Sequence, residues 1–245
     1  MAWATDAIVS GDKVEKLDGQ VFGSIPLHSA LGLLGPSGLA AYFGLLRIAE
    51  IKRGEVVLIS SAAGAVGAAA GQIARIHGCR VVGITGSAGK RRELIETFGF
   101  DEAIDYRGEA DVTEAIHRSC PGGVDIYLDN VGGPITDAAL RSMKTFGRIA
   151  VCGQASEYNA TQPRGWRETV LMTTRRLKIQ GYIVFDFRAD FPEAIGEIAG
   201  WIRSGDLVNS PTIIDDVEHA AEAFVSLFRD DAPGRVLIRT NPSAL

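Results

Sequence analysis

Short runs of apolar, β-branched residues alternate along this chain with longer segments in which apolar residues recur at helical spacing. The clearest example spans residues 56–85, where a β-branched run, a glycine turn, a small-residue run to His77 and a second β-branched run follow one another. This order predicts a βαβ unit. The alternation continues after it, which predicts an α/β fold with a doubly wound parallel sheet and helices on both faces.

The same patterns predict the other elements. Strands are expected at residues 7–9, 56–59, 80–85, 102–105, 124–129, 147–152, 178–187, 212–214 and 235–239. Besides the helix that ends at His77, helices are expected at residues 39–52, 87–98, 110–119, 135–144, 166–177, 190–204 and 217–228. The composition shifts at Asp206, and we expect the segment beyond it to belong to another domain, because it continues the parallel sheet poorly.

The turn after the first long strand carries the strongest candidate chemistry. Ala62, Gly64 and Gly67 follow the Gly-x-Gly-x-x-Gly dinucleotide-binding pattern, with alanine at the first glycine. Gly64 would let the backbone approach a pyrophosphate at the N-terminus of the next helix, and Gly67 would let that helix pack tightly. A glycine turn without a ligand is the alternative, and the flanking strand and helix favour the cofactor site.

The end of the second strand bears on which dinucleotide would bind. NAD sites usually place Asp or Glu there, whereas this chain continues with Thr85, Gly86 and Ser87, and then Lys90 and two arginines. Hydroxyl groups and cations suit a 2′-phosphate, which predicts NADP as the cofactor. A solvated basic turn capped by Ser87 is the alternative.

Two residues that follow later strands are further candidates. Asn130 opens a turn with Gly132 and Gly133, which either approaches a nicotinamide ribose or is an ordinary Asn-initiated turn. Tyr106 either contacts a cofactor or only packs at a strand end, and its own context favours packing.

Composition narrows the class of protein. The 245 residues are 46% hydrophobic with a net charge of −5, which argues against nucleic acid or a membrane surface as the partner. No long uncharged apolar run or basic leader is present, so a cytoplasmic location is expected. The three cysteines and four histidines lack metal-ligand spacing, so no metal site is expected. Neither a Gly-x-Ser-x-Gly elbow nor a complete P-loop occurs.

Several motifs together resemble the zinc-independent medium-chain dehydrogenase/reductase superfamily. The resemblance is to the branch of prostaglandin, curcumin and plant alkenal double-bond reductases. It rests on the sequences at residues 34–42, 63–67, 99–106, 129–133, 146–153 and 158–159.

This resemblance implies roles for individual residues. It assigns Ala63, Gly64, Ala65, Val66 and Gly67 to the pyrophosphate, and Lys90 to the 2′-phosphate. It raises Tyr106 and Asn130 above their structural alternatives as cofactor contacts. Cys152 and Gly153 would lie beside the nicotinamide, and Tyr158 would be the catalytic residue near the substrate carbonyl.

The resemblance also implies an activity and an organisation. The activity is NADPH-dependent reduction of the carbon–carbon double bond of α,β-unsaturated ketones or aldehydes. The alternatives are a quinone reductase and a non-catalytic NADPH-binding module. Residues 34–205 would form the Rossmann domain, and residues 1–33 and 206–245 would be remnants of a GroES-like substrate domain. A homodimer through the edge strand at residues 178–187 is also implied.

Two departures from the family pattern accompany the resemblance. The family's chains are about 100 residues longer at the N-terminus, so most of the substrate-domain strands would lie outside this sequence. An Asn before Gly-Lys usually contacts the cofactor, whereas residues 231–235 of this chain read Asp-Ala-Pro-Gly-Arg.

Overall fold

A computed structural model describes residues 4, 6–14, 16–229 and 235–240 of the chain, with the side chains of residues 228 and 229 left aside. The strands are β1 Val56–Ile59, β2 Arg80–Thr85, β3 Glu102–Asp105, β4 Val124–Asp129, β5 Met143–Val151, β6 Lys178–Gly181, β7 Thr212–Asp215 and β8 Val236–Arg239. The α-helices are α1 Gly19–Phe22, α2 Pro36–Phe43, α3 Ala65–Ile76, α4 Ala88–Glu96, α5 Val112–Ser119, α6 Gly133–Ser142, α7 Val170–Thr174, α8 Phe191–Ser204 and α9 Ala220–Arg229. Short 3₁₀ segments occur at Gly11–Lys13, Leu27–Leu31, Val184–Asp190 and Val217–His219, and a π-helical turn at Gly44–Ile48.

Six strands form one parallel sheet in the order β3-β2-β1-β4-β5-β6. The order reverses at β1, which has β2 on one side and β4 on the other. Such a reversal leaves a crevice beyond the carboxyl ends of the two central strands, where ligands of open α/β sheets bind. The doubly wound α/β fold predicted from the sequence is therefore confirmed.

The two faces of the sheet carry separate cores. One core lies beneath α2, α3 and α8, and the rings of Phe43 and Phe187 stack within it at 4.6 Å. The other lies beneath α5 and α6 and surrounds the fully buried Tyr127. Strands covered on both faces are expected to be almost wholly apolar, as the run Val56–Ile59 is.

One aromatic ring packs closely against two glycines. A Cβ at Gly71 in α3 would overlap Cζ of Phe100, whereas a Cβ at Gly83 in β2 would lie 2.8 Å from the Cβ of Ala62, 2.9 Å from Cδ1 of Leu94 and 3.0 Å from Cδ1 of Phe100. Phe100 is 3% exposed, so its ring fills the space between helix and strand. Packing at this point depends on the combined volume of the three residues.

Two predicted strands differ from the structure. Residues 7–9 form no strand, and residues 182–187 leave the sheet, because β6 ends at Gly181. Gly181 pairs with Val151, the last residue of β5, so the strand loses its hydrogen-bonding partner at that point. The apolar residues beyond it form the 3₁₀ segment Val184–Asp190, which packs on α8 and α2.

Two predicted helices are shorter than expected. Only Val170–Thr174 is helical within residues 166–177. The helix predicted at residues 39–52 begins earlier, at Pro36, and becomes a π-turn after Phe43. A Cβ at Gly44 would lie 2.8 Å from Cζ of Tyr182, so this helix passes unusually close to the chain that follows β6.

The C-terminal segment builds its own small sheet. β7 and β8 pair in parallel with each other and do not join the six-stranded sheet. The departure at residues 231–235 falls mostly outside the described residues, apart from Arg235. Within the described ranges, no helix has the length and apolar character needed to cross a membrane.

Candidate functional site

The glycine turn after β1 lies at the crevice. Ser61 adopts a left-handed conformation with φ 48°, which turns the chain sharply towards α3. A Cβ at Gly67 would lie 2.6 Å from the Cα of Ala62, and closer still to the main-chain oxygen of Ser61. Since neither backbone atom can yield, Gly67 allows α3 to pack against the turn, as the sequence predicts.

The first turn of α3 is open to an anion. Gly64 is the N-cap and offers no side chain to the helix, and the first turn contains no acidic residue. The N–H groups of Ala65, Val66 and Gly67 occupy positions at which an α-helix lacks intrahelical acceptors. Donors of this kind at a helix N-terminus fit a diphosphate. Ala63 is 3% exposed and supports the turn from beneath.

The end of β2 carries the residues predicted to bind the 2′-phosphate. Thr85 and Gly86 are buried at the strand end, and Ser87 is the N-cap of α4, its Oγ accepting from Lys90 N at 3.4 Å. The first turn of α4 contains no acidic residue. A hydroxyl thus lies at a helix N-terminus, and a lysine follows in the first turn of that helix; groups of these kinds suit a phosphate monoester.

The consecutive cations on α4 have different surroundings. Lys90 is only 9% exposed, whereas Arg92 is exposed to solvent. Arg91 donates from Nε to the main-chain oxygen of Ala103 in β3, over 2.7 Å. Lys90 is therefore the inward-facing cation of this turn, although the three look equivalent in the sequence.

Tyr106 and Asp105 lie beside the same strand end. Tyr106 N donates to the main-chain oxygen of Thr85 at 3.0 Å, and the guanidinium of Arg107 lies 5.7 Å from the tyrosine ring centroid. Asp105 pairs with Thr85 in the sheet, and its carboxylate accepts from Arg107 N at 3.2 Å. The carboxylate that pairs in the sheet with Thr85 is thus that of Asp105 on β3, and it already accepts a hydrogen bond from the turn that follows it.

The turn after β4 approaches β1 through Asn130. Its Nδ2 donates to the main-chain oxygen of Ser60 over 2.7 Å, and its main-chain N–H donates to Ser60 Oγ over 2.9 Å. Gly132 and Gly133 follow with φ of 75° and 57°. Residues with side chains rarely adopt such conformations, which accounts for the two glycines.

A buried carboxylate beneath this turn was not anticipated from the sequence. Asp129 is fully buried, and its oxygens accept from Tyr127 Oη at 3.0 Å and Thr136 Oγ1 at 2.7 Å. Burial and the nearby Asp129 charge raise the pKa of Tyr127 well above its usual range, so its phenol remains a donor. The sequence did contain a signal for it, namely an aspartate at the end of a buried strand. A buried carboxylate needs several hydrogen-bond donors around it.

The chain after β5 places three predicted residues together. The main-chain N–H groups of Cys152 and Gly153 donate to Asp129 O at 2.8 and 3.1 Å. Tyr158 folds back over this segment, and its phenol oxygen accepts from Gln154 N at 3.2 Å. A Cβ at Gly153 would lie 2.8 Å from that oxygen, and the Tyr158 side chain is otherwise 72% exposed.

Tyr182 is a second phenol at this end of the sheet. Its position was not expected, because the sequence predicted that residue 182 lies within a strand at residues 178–187. It follows β6 directly and donates to the main-chain oxygen of Ala40 in α2 over 2.7 Å. Burial raises its pKa, as does the neighbouring Cys152. The pKa of Cys152 is also raised by burial, so the thiol beside Gly153 stays protonated at neutral pH.

All the predicted site residues lie at the carboxyl edge of the sheet or on the helices that start there. Those after β2 and β3 form one group, and those after β4 and β5 form another. The glycine turn after β1 lies between them. In the described part of the chain, no three His, Cys, Asp or Glu residues cluster in a way that could hold a metal ion.

A parallel sheet with its crevice beside an uncapped glycine turn defines a dinucleotide-binding domain of the Rossmann type. A family model described as zinc-binding dehydrogenase matches residues 65–200. Prostaglandin reductase 1 of Bos taurus is 38% identical over 239 residues, which cover 97% of this chain and 72% of that protein.

Other relatives agree with this assignment. The NADPH-dependent curcumin reductase of Escherichia coli (strain K12) is 39% identical over 97% of this chain and 69% of its own length. The crystal structure of CurA from Vibrio vulnificus in complex with NADPH matches with a TM-score of 0.83 at 36% identity, covering 89% of this chain and 67% of that chain. The chain belongs to the zinc-binding dehydrogenase family, in the zinc-independent branch that contains the prostaglandin and curcumin reductases.

Proposed function

We propose that this protein is an NADPH-dependent oxidoreductase that reduces the carbon–carbon double bond of α,β-unsaturated ketones or aldehydes. The observation that carries the proposal is the crevice at the sheet reversal. It combines the uncapped start of α3, the inward-facing Lys90 and the phenol of Tyr158 beside Gly153. Relatives named as NADPH-dependent curcumin reductase and prostaglandin reductase support the same chemistry.

The cofactor would be held at three places. The first-turn N–H groups of α3 would bind the pyrophosphate, with Gly64 and Gly67 keeping side chains out of its way. Ser87 and Lys90 would bind the 2′-phosphate, with Thr85, Gly86 and Tyr106 alongside. Asn130, Cys152 and Gly153 would border the nicotinamide ribose and ring. When bound, NADPH supplies the hydride that the reaction requires.

Tyr158 would act on the substrate. Reduction of an enone at its β-carbon develops negative charge on the carbonyl oxygen, and a positioned O–H donor stabilises that charge. The phenol of Tyr158 accepts a hydrogen bond from Gln154 N, so its own proton is available to donate. This role would leave cofactor binding to the other residues.

Titration of the purified protein with NADPH and NADH, followed by an oxidation assay, tests the proposal. We expect NADPH to bind at least about tenfold more tightly than NADH, because one charge-assisted contact distinguishes them. NADPH oxidation should then follow addition of 3-buten-2-one. Turnover with 1,4-benzoquinone alone would indicate a quinone reductase, and binding without turnover a non-catalytic module. Failure to bind NADPH would contradict the proposal.

We further propose a homodimer formed through β6. This strand ends the sheet, and no strand of the described residues pairs with its outer side; the large side chains that follow it, Ile183 and Phe185, are 61% and 54% exposed. Exposed strand edges flanked by apolar residues favour pairing with a second chain. Size-exclusion chromatography of Ile183→Asp/Phe185→Asp should give a monomer, whereas Val225→Asp on α9 should leave the dimer intact. An unchanged size in the double variant would contradict pairing at β6.

The predicted domain division also stands as a proposal, with boundaries after residues 33 and 205. The separate β7–β8 sheet supports it. The segment after α8 contacts both neighbouring parts of the chain: Gln72 of the main domain bonds both polar atoms of the Val208 main chain, and Asn209 donates to Ser29 Oγ within residues 1–33. Native-state hydrogen exchange tests the division. The β7 and β8 amides should open together at lower denaturant than those of β1, and simultaneous opening would indicate one unit.

A cytoplasmic location is proposed on the state of the cysteines. Cys79, Cys120 and Cys152 are free thiols, and the first two are buried. Free thiols are typical of reducing compartments. Fractionation of the source cells should recover the protein with soluble cytoplasmic markers, and recovery in an exported or membrane fraction would contradict this location.

A further inference from the structure

We propose that Asp129 is a positioning residue for the nicotinamide end of the crevice. Its carboxylate fixes the turn that carries Asn130, and its main-chain oxygen fixes the segment Cys152–Gly153. This inference rests on the proposed function, since it assigns Asp129 a part in the same site. Asp129 itself is fully buried, so it would act only through the residues that it holds.

The carboxylate binds the turn directly. Oδ1 of Asp129 accepts from Val131 N at 3.0 Å and from Gly132 N at 2.9 Å. These two N–H groups belong to the two successive peptides that follow Asn130, so the bonds set the direction in which the chain departs from β4. An apolar residue at position 129 would leave both N–H groups without this acceptor.

Donors on two elements hold the carboxylate in that orientation. Thr136 Oγ1 on α6 donates to Oδ2 at 2.7 Å, and Tyr127 Oη on β4 donates to Oδ1 at 3.0 Å. Ser60 Oγ, directly after β1, lies 3.4 Å from Oδ1. A buried carboxylate is retained only with such donors. The strand, the helix and the turn therefore meet at one group.

The turn after β4 is hydrogen-bonded to the loop that carries Tyr158. The main-chain oxygen of Asn130 accepts from Ala155 N at 3.2 Å, and that of Val131 accepts from Ser156 N at 3.0 Å. Ser156 Oγ also donates to Val131 O, at 2.7 Å. A shift of the turn after β4 would therefore move the start of the Tyr158 loop with it.

The same substitution at the two ends of β4 tests the proposal. Asp125 lies at the other end of the strand, where its carboxylate accepts from Val56 N and Lys144 Nζ. In Asp129→Ala, amide hydrogen exchange followed by NMR should be at least about tenfold faster at Val131 and Gly132 than in the wild type. In Asp125→Ala it should be unchanged there. Equal exchange at these amides in the two variants would overturn the proposal.

Ligand binding and rescue separate positioning from general destabilisation. We expect Asp129→Ala to weaken NADPH and NADH binding by a similar factor of about ten, because the 2′-phosphate group of residues is untouched. Asp129→Asn should restore most of the loss, since its amide oxygen can accept from the turn and its NH₂ can donate to Thr136. If Asp129→Asn bound the cofactors no more tightly than Asp129→Ala, the proposal would be contradicted.

A milder variant covers the case in which Asp129→Ala does not fold. Thr136→Val removes only the bond to Oδ2, and we expect exchange at Val131 and Gly132 to rise about threefold. Unchanged exchange there in folded Thr136→Val would overturn the proposal. If the exchange results hold but wild-type protein binds no NADPH, the proposed function fails and the structural role of Asp129 remains.

Discussion

The side-chain amide of Asn130 donates to the main-chain oxygen of Ser60 over 2.7 Å and thereby bridges the ends of β4 and β1. Because Ser60 O can only accept, Nδ2 must face it, and Oδ1 is the atom left to face away from β1. A cofactor hydroxyl would therefore meet an acceptor at Asn130. At the sheet reversal, the Asn130 side chain thus offers a ligand a hydrogen-bond acceptor, Oδ1.

Asn130→Asp should damage this bridge. The substituted carboxylate would place an acceptor against the Ser60 oxygen, so we expect NADPH affinity to fall by about tenfold, measured by fluorescence titration. Asn209→Asp is the matched control, because its partner, Ser29 Oγ, can rotate to become the donor. Equal affinity losses in the two variants would contradict the role assigned to Asn130.

Lys90→Ala should change cofactor preference. We expect NADPH binding to weaken by about 1–3 kcal/mol with little change for NADH, because only NADPH carries the 2′-phosphate. Arg92→Ala, which removes an exposed cation from the same helix, is the control and should leave both affinities nearly unchanged. Equal losses for the two cofactors in Lys90→Ala would argue against a 2′-phosphate contact.

Two glycine-to-alanine changes should alter stability in opposite directions. Gly67→Ala would bring a Cβ to 2.6 Å from the Ala62 Cα, so we expect a loss of about 2–4 kcal/mol in the free energy of unfolding. A Cβ at Gly89, in α4, would meet nothing within 4 Å, and Gly89→Ala should add about 0.5–1 kcal/mol. Urea denaturation measures both, and a neutral Gly67→Ala would contradict the close packing at the turn.

Tyr158→Phe should slow turnover without weakening cofactor binding. Loss of the phenol removes a donor to the developing oxyanion, and we expect kcat to fall by about tenfold or more. Tyr42→Phe provides the same chemical change at a bond to Glu197, between α2 and α8, and should leave kcat unchanged. Steady-state kinetics with an enone distinguish the two, and an unaltered kcat in Tyr158→Phe would remove Tyr158 from the mechanism.

Stability should decline as the pH rises from about 9 to 11. Burial raises the pKa of Cys79 and of Cys120 to about 11, whereas thiols in the unfolded chain ionise near 8.5–9. In that interval the unfolded state loses its thiol protons first, so alkali favours unfolding. In Cys79→Ala/Cys120→Ala, the decline measured by urea denaturation should be shallower. An identical slope would show that other groups determine it.

The order of strands and helices was predictable because each strand buried on both faces reads as a continuous apolar run. The end of β6 could not be predicted from the sequence. The largely apolar segment continues to Phe187, whereas the partner strand β5 ends at Val151. Only the register of the sheet, which a single sequence does not contain, explains why the strand stops at Gly181. The close approach of Tyr182 to Gly44, where the π-turn Gly44–Ile48 begins, could likewise not be predicted, because the two residues are far apart in sequence.

Within the site, residues could be predicted from the sequence where the backbone needs special geometry. Gly67 could be recognised because close packing of α3 excludes a side chain. The roles of Asp129 and Tyr182 could not, because each depends on hydrogen bonds to distant elements, such as that from Thr136 on α6 and that to Ala40 on α2. Likewise, three adjacent cations on α4 differ only in the direction that the folded helix gives them.

The ring of Phe100 over Gly71 and Gly83 has a consequence for how such sequences diverge. Because this ring occupies the space where a side chain at position 71 would lie, a smaller residue at position 100 would open a void that a methyl group at position 71 could fill, whereas a methyl group at position 83 would still meet Ala62 and Leu94. The packing constrains the combined volume of residues 71 and 100. Substitutions there are therefore expected to be tolerated in compensating pairs and rejected singly.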